Sequence, residues 1–105
     1  MKLLTVDLKK KFAKIGSQDS VEDPFIIAKY FICFSDWTFY ATEFDPTTEI
    51  FFGIFSYADQ MHWGTISLHE LENIGLMGGR IKVERNTFFQ GIRRMSEEFG
   101  NLKIS

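Results

Sequence analysis

Apolar residues recur at helical spacing near the start of the chain, crowd or alternate through its middle, and return to helical spacing twice more before its end. Leu8, Phe12 and Ile15 lie four and three apart behind Thr5, whose hydroxyl suits an N-cap. Asp7 complements the dipole in the first turn and Gly16 suits the position after the last turn. That pattern predicts a short amphipathic helix with Lys9, Lys10, Lys11 and Lys14 mostly on its other face. The polar stretch 17–24 ends in Asp23-Pro24, which disfavours helix, and reads as a loop. β-Branched and aromatic residues then dominate 25–34, with Lys29 the sole charge, and predict a strand buried on most of both faces.

Ser35-Asp36 reads as a tight turn into a second strand over 37–44, so the two form an antiparallel hairpin. Asp45-Pro46-Thr47-Thr48 supplies the next turn, with the proline at its favoured second position. A third strand follows over 49–57, in which Gly53 signals a bulge or a close approach by another group. Residues 58–60 turn the chain into a shorter fourth strand over 61–66, completing a meander. Ser67 and Glu70 have capping-box spacing ahead of Leu68, Leu71 and Ile74, and Gly75 ends that helix. Gly78-Gly79 permits a turn into 80–85, whose strict alternation reads as a half-exposed edge strand. Its four charges in six residues resist casual strand pairing. Phe88, Ile92, Met95 and Phe99 form a last helical stripe, capped by Asn86 or starting near Gly91, where glycine disfavours helix. Gly100 ends it, leaving 101–105 as a tail.

The fold class expected is therefore α+β: an antiparallel meander of four to five strands with an N-terminal helix, a short helix after the fourth strand and a C-terminal helix, the helices packed on one face of the sheet. A length of 105 residues fits one domain, 1–105, with a core that needs no metal or disulfide. The single cysteine, Cys33, sits in an apolar run and reads as a core residue of a reducing compartment. A charge interrupts the first apolar residues and no apolar run is long enough to span a membrane, so the expected location is cytoplasmic, without membrane association.

Charge is unevenly spread. Residues 1–16 carry a net +4, 17–75 a net −9 and 76–105 a net +3. The acidic middle is a poor surface for phosphate backbones, which disfavours direct nucleic-acid binding. The basic ends read as solvated faces.

Candidate chemistry is sparse. Cys33 has no neighbouring cue for a stabilised thiolate. His69, Glu70 and Glu72 lack the three- or four-residue spacing that places ligands on one helix face, so no metal site is expected. The glycine-rich stretch 75–80 lacks the lysine and the strand-to-helix order of a phosphate loop. No catalytic residue and no cofactor are assigned. Along the second strand, Trp37, Phe39, Ala41 and Glu43 alternate with Thr38, Tyr40, Thr42 and Phe44. With the Trp37 face toward the core, Glu43 rides at its rim and needs a partner such as Arg80, Arg85, Arg93 or Arg94. It then serves either as a tie to the C-terminal segment or as a polar group in a binding cleft. The candidate binding residues are Glu43, Tyr40, Trp37, Trp63 and Arg85. Twelve Phe, three Tyr and two Trp exceed the needs of a small core, so some rings are expected at the surface as contact area for a partner.

The wording of the chain resembles the domain-of-unknown-function 2958 family of bacterial, phage and plasmid proteins. The matching words are Leu3-Leu4-Thr5 opening a Lys-rich helix, Asp23-Pro24 with Ala28-Lys29-Tyr30-Phe31, and the run from Trp37 through Thr42 to Asp45. Phe52-Gly53, Trp63-Gly64 with Ser67-Leu68-His69-Glu70-Leu71-Glu72, and Val83-Glu84-Arg85 complete them. The stretch 86–91 departs from the family by having no proline. The family carries no assigned reaction and transfers no catalytic residues. The resemblance implies an accessory protein of a phage or other mobile element, acting by binding host machinery. The expected function is a non-enzymatic protein-binding accessory protein with a host protein partner, an inhibitor of host defence being its concrete form. The alternative is a protein that binds or sequesters a small ligand, a nucleotide or metabolite, between sheet and helix. The sequence leaves the oligomeric state open.

Overall fold

The computed structural model describes residues 2–89 and 92–100. Thr5 caps α1 (Val6–Ile15) by accepting from the Leu8 amide at 3.2 Å, and Gly16 closes the helix at φ 68°. A separate two-residue strand β1 (Phe25–Ile26) follows, and then the meander of β2 (Ala28–Ile32), β3 (Thr38–Asp45), β4 (Ile50–Tyr57) and β5 (Gln60–Ser67). Then come α2 (Leu68–Asn73), β6 (Gly75–Leu76), a 3₁₀ turn, β7 (Ile81–Arg85), β8 (Arg93–Arg94) and α3 (Met95–Phe99). The architecture is α+β. Six strands form an antiparallel sheet in the order β5-β4-β3-β2-β7-β6, while β1 pairs separately with β8.

Several expectations are corrected. The run 25–34 is not one strand: its pairing changes at Ile27, and Cys33 and Phe34 leave the ladder for the turn, Phe34 at φ 64°. β7 is not an edge. It lies between β2 and the two-residue β6, because the chain after α2 returns across the meander to the open side of β2. The last helix starts at Met95, later than either Asn86 or residue 91. Asn86 instead accepts from the amides of Phe88 and Phe89 at 2.9 and 3.2 Å, closing a turn, and Arg93-Arg94 is drawn into pairing with β1. Gln90, Gly91 and the tail 101–105 lie outside the described residues.

The helices also cover both faces of the sheet. On the first face, Phe12 of α1 meets Phe44 and Phe51 at ring distances of 5.9 and 5.8 Å, over a layer that includes Tyr30, Phe39 and Ala41. Full burial of such large apolar side chains contributes roughly 1.5–3 kcal/mol each. On the second face, Phe99 of α3 stands edge-on to Tyr40 at 4.7 Å. Lys29 of β2 pairs with Glu98 at 3.3 Å.

One irregularity decides which side chains reach which face. Ala41 pairs with Gly53 and Glu43 with Phe52, so Thr42 is an extra, bulged residue. A strict alternation puts Glu43 beside Trp37 and Phe39. The bulge instead moves Glu43 to the Tyr40 face and releases Phe44 to pack with Phe12 and Phe51. Gly53 is needed opposite this point, where any Cβ would overlap the Tyr40 carbonyl oxygen; the bulge itself is on the neighbouring strand.

Candidate functional site

The bulge is held from outside the sheet by one buried amide. Gln18, in the loop after α1, donates from Nε2 to the carbonyls of Thr42 at 2.7 Å and Phe25 at 3.0 Å. Its Oε1 accepts from the Phe25 amide at 2.6 Å, and the Thr42 hydroxyl donates to the Phe52 carbonyl at 3.1 Å. Gln18 is 5 % exposed and Thr42 1 %, so the bond between them forms away from bulk water. The arrangement pins loop 17–24 above the second sheet face.

Asp23 then fixes the other wall. Its carboxylate accepts from the Ser96 amide at 2.9 Å and the Ser96 hydroxyl at 2.6 Å, while Met95 donates its amide to the Pro24 carbonyl at 2.9 Å. The first turn of α3 is therefore satisfied by a residue from the other end of the chain. The Ser96 hydrogen bonds hold the Asp23 carboxyl below the usual carboxylate range.

Between these walls lies a cleft of about 340 Å³. Phe52 and Trp63 form its ring surface, stacked with centroids 5.3 Å apart and planes 9° from parallel. Met95 lines it from α3, and Glu43, Asp19 and Glu22 bring three carboxylates to it. Glu43 and Phe52 also border a second depression of about 550 Å³ beside Phe12 and Phe44. Among the described residues that line the cleft there is no Lys or Arg.

The structure therefore brings two of the five sequence candidates, Glu43 and Trp63, into one site. Tyr40 shares their face but lies beneath α3, with Lys29 Nζ 5.2 Å from its ring centroid. Burial pushes its phenol up. Trp37 is on the opposite face, against Phe55 at 6.1 Å. Arg85, on β7, donates from Nε to the Lys2 carbonyl at 3.2 Å and borders a separate groove with Lys29, Phe31 and Phe88. Among the described residues no arginine pairs with Glu43; the sheet is tied to α3 instead by Lys29 and Glu98. The residues sequence reasoning missed are Phe52 on β4 and Gln18, Asp19, Glu22 and Met95, which come from a loop and a five-residue helix. The acidity of stretch 17–75 was the one available signal for the loop carboxylates.

Other chemistry-bearing groups lie apart from this cleft. Cys33 is half-buried rather than a core residue, and its thiol donates to Glu84 Oε2 at 2.9 Å. That hydrogen bond, aided by burial and the Glu84 charge, pushes the thiol up and so disfavours a nucleophilic thiolate. Among the described residues no three His, Cys, Asp or Glu side chains converge as a metal-binding group. No described helix is long and apolar enough to cross a membrane. Phe34 and Phe88 are the most exposed rings, at 93 % and 90 %.

Fold and site together define an α+β protein whose antiparallel sheet carries an acidic, ring-lined cleft between a pinned loop and a short helix. The chain belongs to the family described as "Protein of unknown function (DUF2958)", which matches residues 3–101. Neither a curated protein nor a solved structure matches it.

Proposed function

We propose that this protein is a non-enzymatic binding protein that engages a protein partner through the cleft on its second sheet face. The observation that carries this reading is the combination in one open site of a stacked Trp63–Phe52 pair with the carboxylates of Glu43, Asp19 and Glu22. Stacked rings offer a large contact area with few rotors to freeze, and carboxylates that share the cleft with no Lys or Arg among its described lining residues favour a positively charged partner. The almost fully exposed Phe34 and Phe88 supply further ring surface of the kind that interfaces use. The resemblance to accessory proteins of phages and mobile elements supports a host protein as the partner, an antagonist of host defence as the role and the cytoplasm as the place.

Affinity capture from bacterial lysate tests it with three forms of the chain: wild type, Glu43→Lys with Glu22→Lys, and Lys10→Glu on the exposed side of α1. The expected result is a partner retained by wild type and by the α1 variant and lost from the cleft variant. Equal capture by all three, or no partner at any salt concentration, overturns the reading.

A second reading is supported by the size of the cleft, which falls at the small end of pockets that hold single small molecules. Here the protein sequesters a metabolite, stacked on Trp63 and oriented by Glu43. A thermal-shift screen separates the two, because a ligand that binds only the folded state raises the melting temperature.

A further inference from the structure

Around the cleft the protein twice places a cation on an aromatic ring with a carboxylate close by. Lys29 Nζ is 5.2 Å from the Tyr40 ring centroid and 3.3 Å from Glu98 Oε1. The Arg94 guanidinium is 4.2 Å from the Phe25 ring centroid, donates to the Asp23 carbonyl at 2.8 Å, and lies close enough to act on the Asp23 carboxylate. A third set has the ring and the carboxylate with no Lys or Arg among the described residues that line it: Trp63 stacked on Phe52, with Glu43 in the same wall. We propose that this third position takes the guanidinium of an arginine side chain presented by a partner protein, laid on the Trp63–Phe52 pair and hydrogen-bonded to Glu43. The inference rests on the reading of the cleft as a partner-binding site and names the group recognised there.

Shape, hydration, charge and size together select this group. A guanidinium is flat, so it stacks on an indole face while its edge donates two parallel hydrogen bonds to a carboxylate; an ammonium offers charge without the stacking plane. It is also more weakly hydrated than an ammonium, so it loses less on entering a partly closed cleft. Nucleotides share the flat ring but bring phosphates toward Asp19, Glu22 and Glu43, a like-charge approach that opposes binding. The volume of about 340 Å³ suits one inserted side chain with part of its backbone.

The test uses the full chain and three blocked pentapeptides, Gly-Gly-X-Gly-Gly, in which X is arginine, lysine or citrulline, the neutral and equally flat counterpart of arginine. The readout is the indole N–H resonance of Trp63, with Trp37 on the opposite sheet face as internal control. The arginine peptide is expected to shift Trp63 saturably and leave Trp37 in place, with lysine weaker and citrulline without effect. Glu43→Gln is expected to weaken the arginine peptide about tenfold, as fits the loss of one charged hydrogen bond. Asp19→Asn with Glu22→Gln, on the exposed loop, is expected to weaken it by a smaller factor. Citrulline binding as well as arginine, unchanged affinity in both variants, or no Trp63 shift at millimolar arginine peptide each overturns the proposal. A lysate partner lost on cleft charge reversal, from a protein that ignores all three peptides, overturns the guanidinium assignment and leaves protein binding standing. Arginine-peptide binding with no lysate partner supports the guanidinium site and counts against the protein-binding reading alone.

Discussion

Gln18 shows how much of this site depends on one side chain. Its amide uses both a donor and an acceptor function on backbone groups that the bulge at Thr42 and the strand change at Ile27 leave without ladder partners. Replacing it by alanine takes the partner from the buried Thr42 carbonyl and from the part-buried Phe25 carbonyl and amide, at about 1–3 kcal/mol for each group left stranded. Gln18→Ala is therefore expected to lower the urea unfolding free energy by about 2–4 kcal/mol, well above the effect of an exposed loop substitution. A change within experimental error shows that water takes over these bonds. Nothing in the stretch Ser17-Gln18-Asp19-Ser20 marks the glutamine as buried, since its partners lie 7 and 24 residues away.

At the scale of elements, α1 and α2 are legible because their signals are local. Thr5 and Ser67 cap as their sequence positions imply, and the reciprocal Ser67–Glu70 bonds are both present at 3.0 Å. α3 is a different case. Five residues cannot hold a helix by themselves in water, and this one is held by Asp23, the Lys29–Glu98 pair and the Phe99–Tyr40 contact. Asp23→Ala is expected to raise amide hydrogen exchange across 95–99 several-fold while the central β4 amides keep their protection. Uniform acceleration in both places shows that Asp23 supports the whole domain rather than the helix. Because Met95 lines the cleft, loosening α3 also opens one wall of the proposed binding site.

For the whole molecule, ionisation bounds stability from both sides. Asp23, Asp45 and Glu70 are held below the usual carboxylate range by hydrogen bonds from Ser96, Thr47 and Ser67 respectively. Groups with a depressed folded value stabilise above their unfolded value and lose that contribution as pH falls through the folded one. Tyr30, buried with its hydroxyl donating to the Leu3 carbonyl at 2.6 Å, is pushed up by burial, as is Tyr40; the Cys33 thiol is raised chiefly by its Glu84 bond. Their stabilising effect is complete below the unfolded values and lost as pH rises through the folded ones. The urea midpoint is expected to be flat between about pH 5 and pH 8, to fall below about pH 4 and to fall again above about pH 9. Asp23→Asn is expected to flatten the acid limb and Tyr30→Phe the alkaline one. Unaltered limbs in both variants overturn this assignment of the titrating groups.

Local signals determined the two capped helices, the meander and the need for glycine at position 53. Each follows from side-chain period, turn residues or cap chemistry within a few positions, which a chain carries wherever it folds. The tertiary structure alone decided the strand order, the face of Glu43 and the position of α3. A bulge is a mismatch between two strands and is not a property of either one, so alternation in 37–44 placed Glu43 beside Trp37. The helical stripe from Phe88 to Phe99 gave way because Arg93-Arg94 found backbone partners on β1 and Asp23 supplied the amide partner for a later start. The family wording from Trp37 to Asp45 thus marks one strand in sequence and two faces in space. Glu43 belongs to the cleft because long-range hydrogen bonds turn it there.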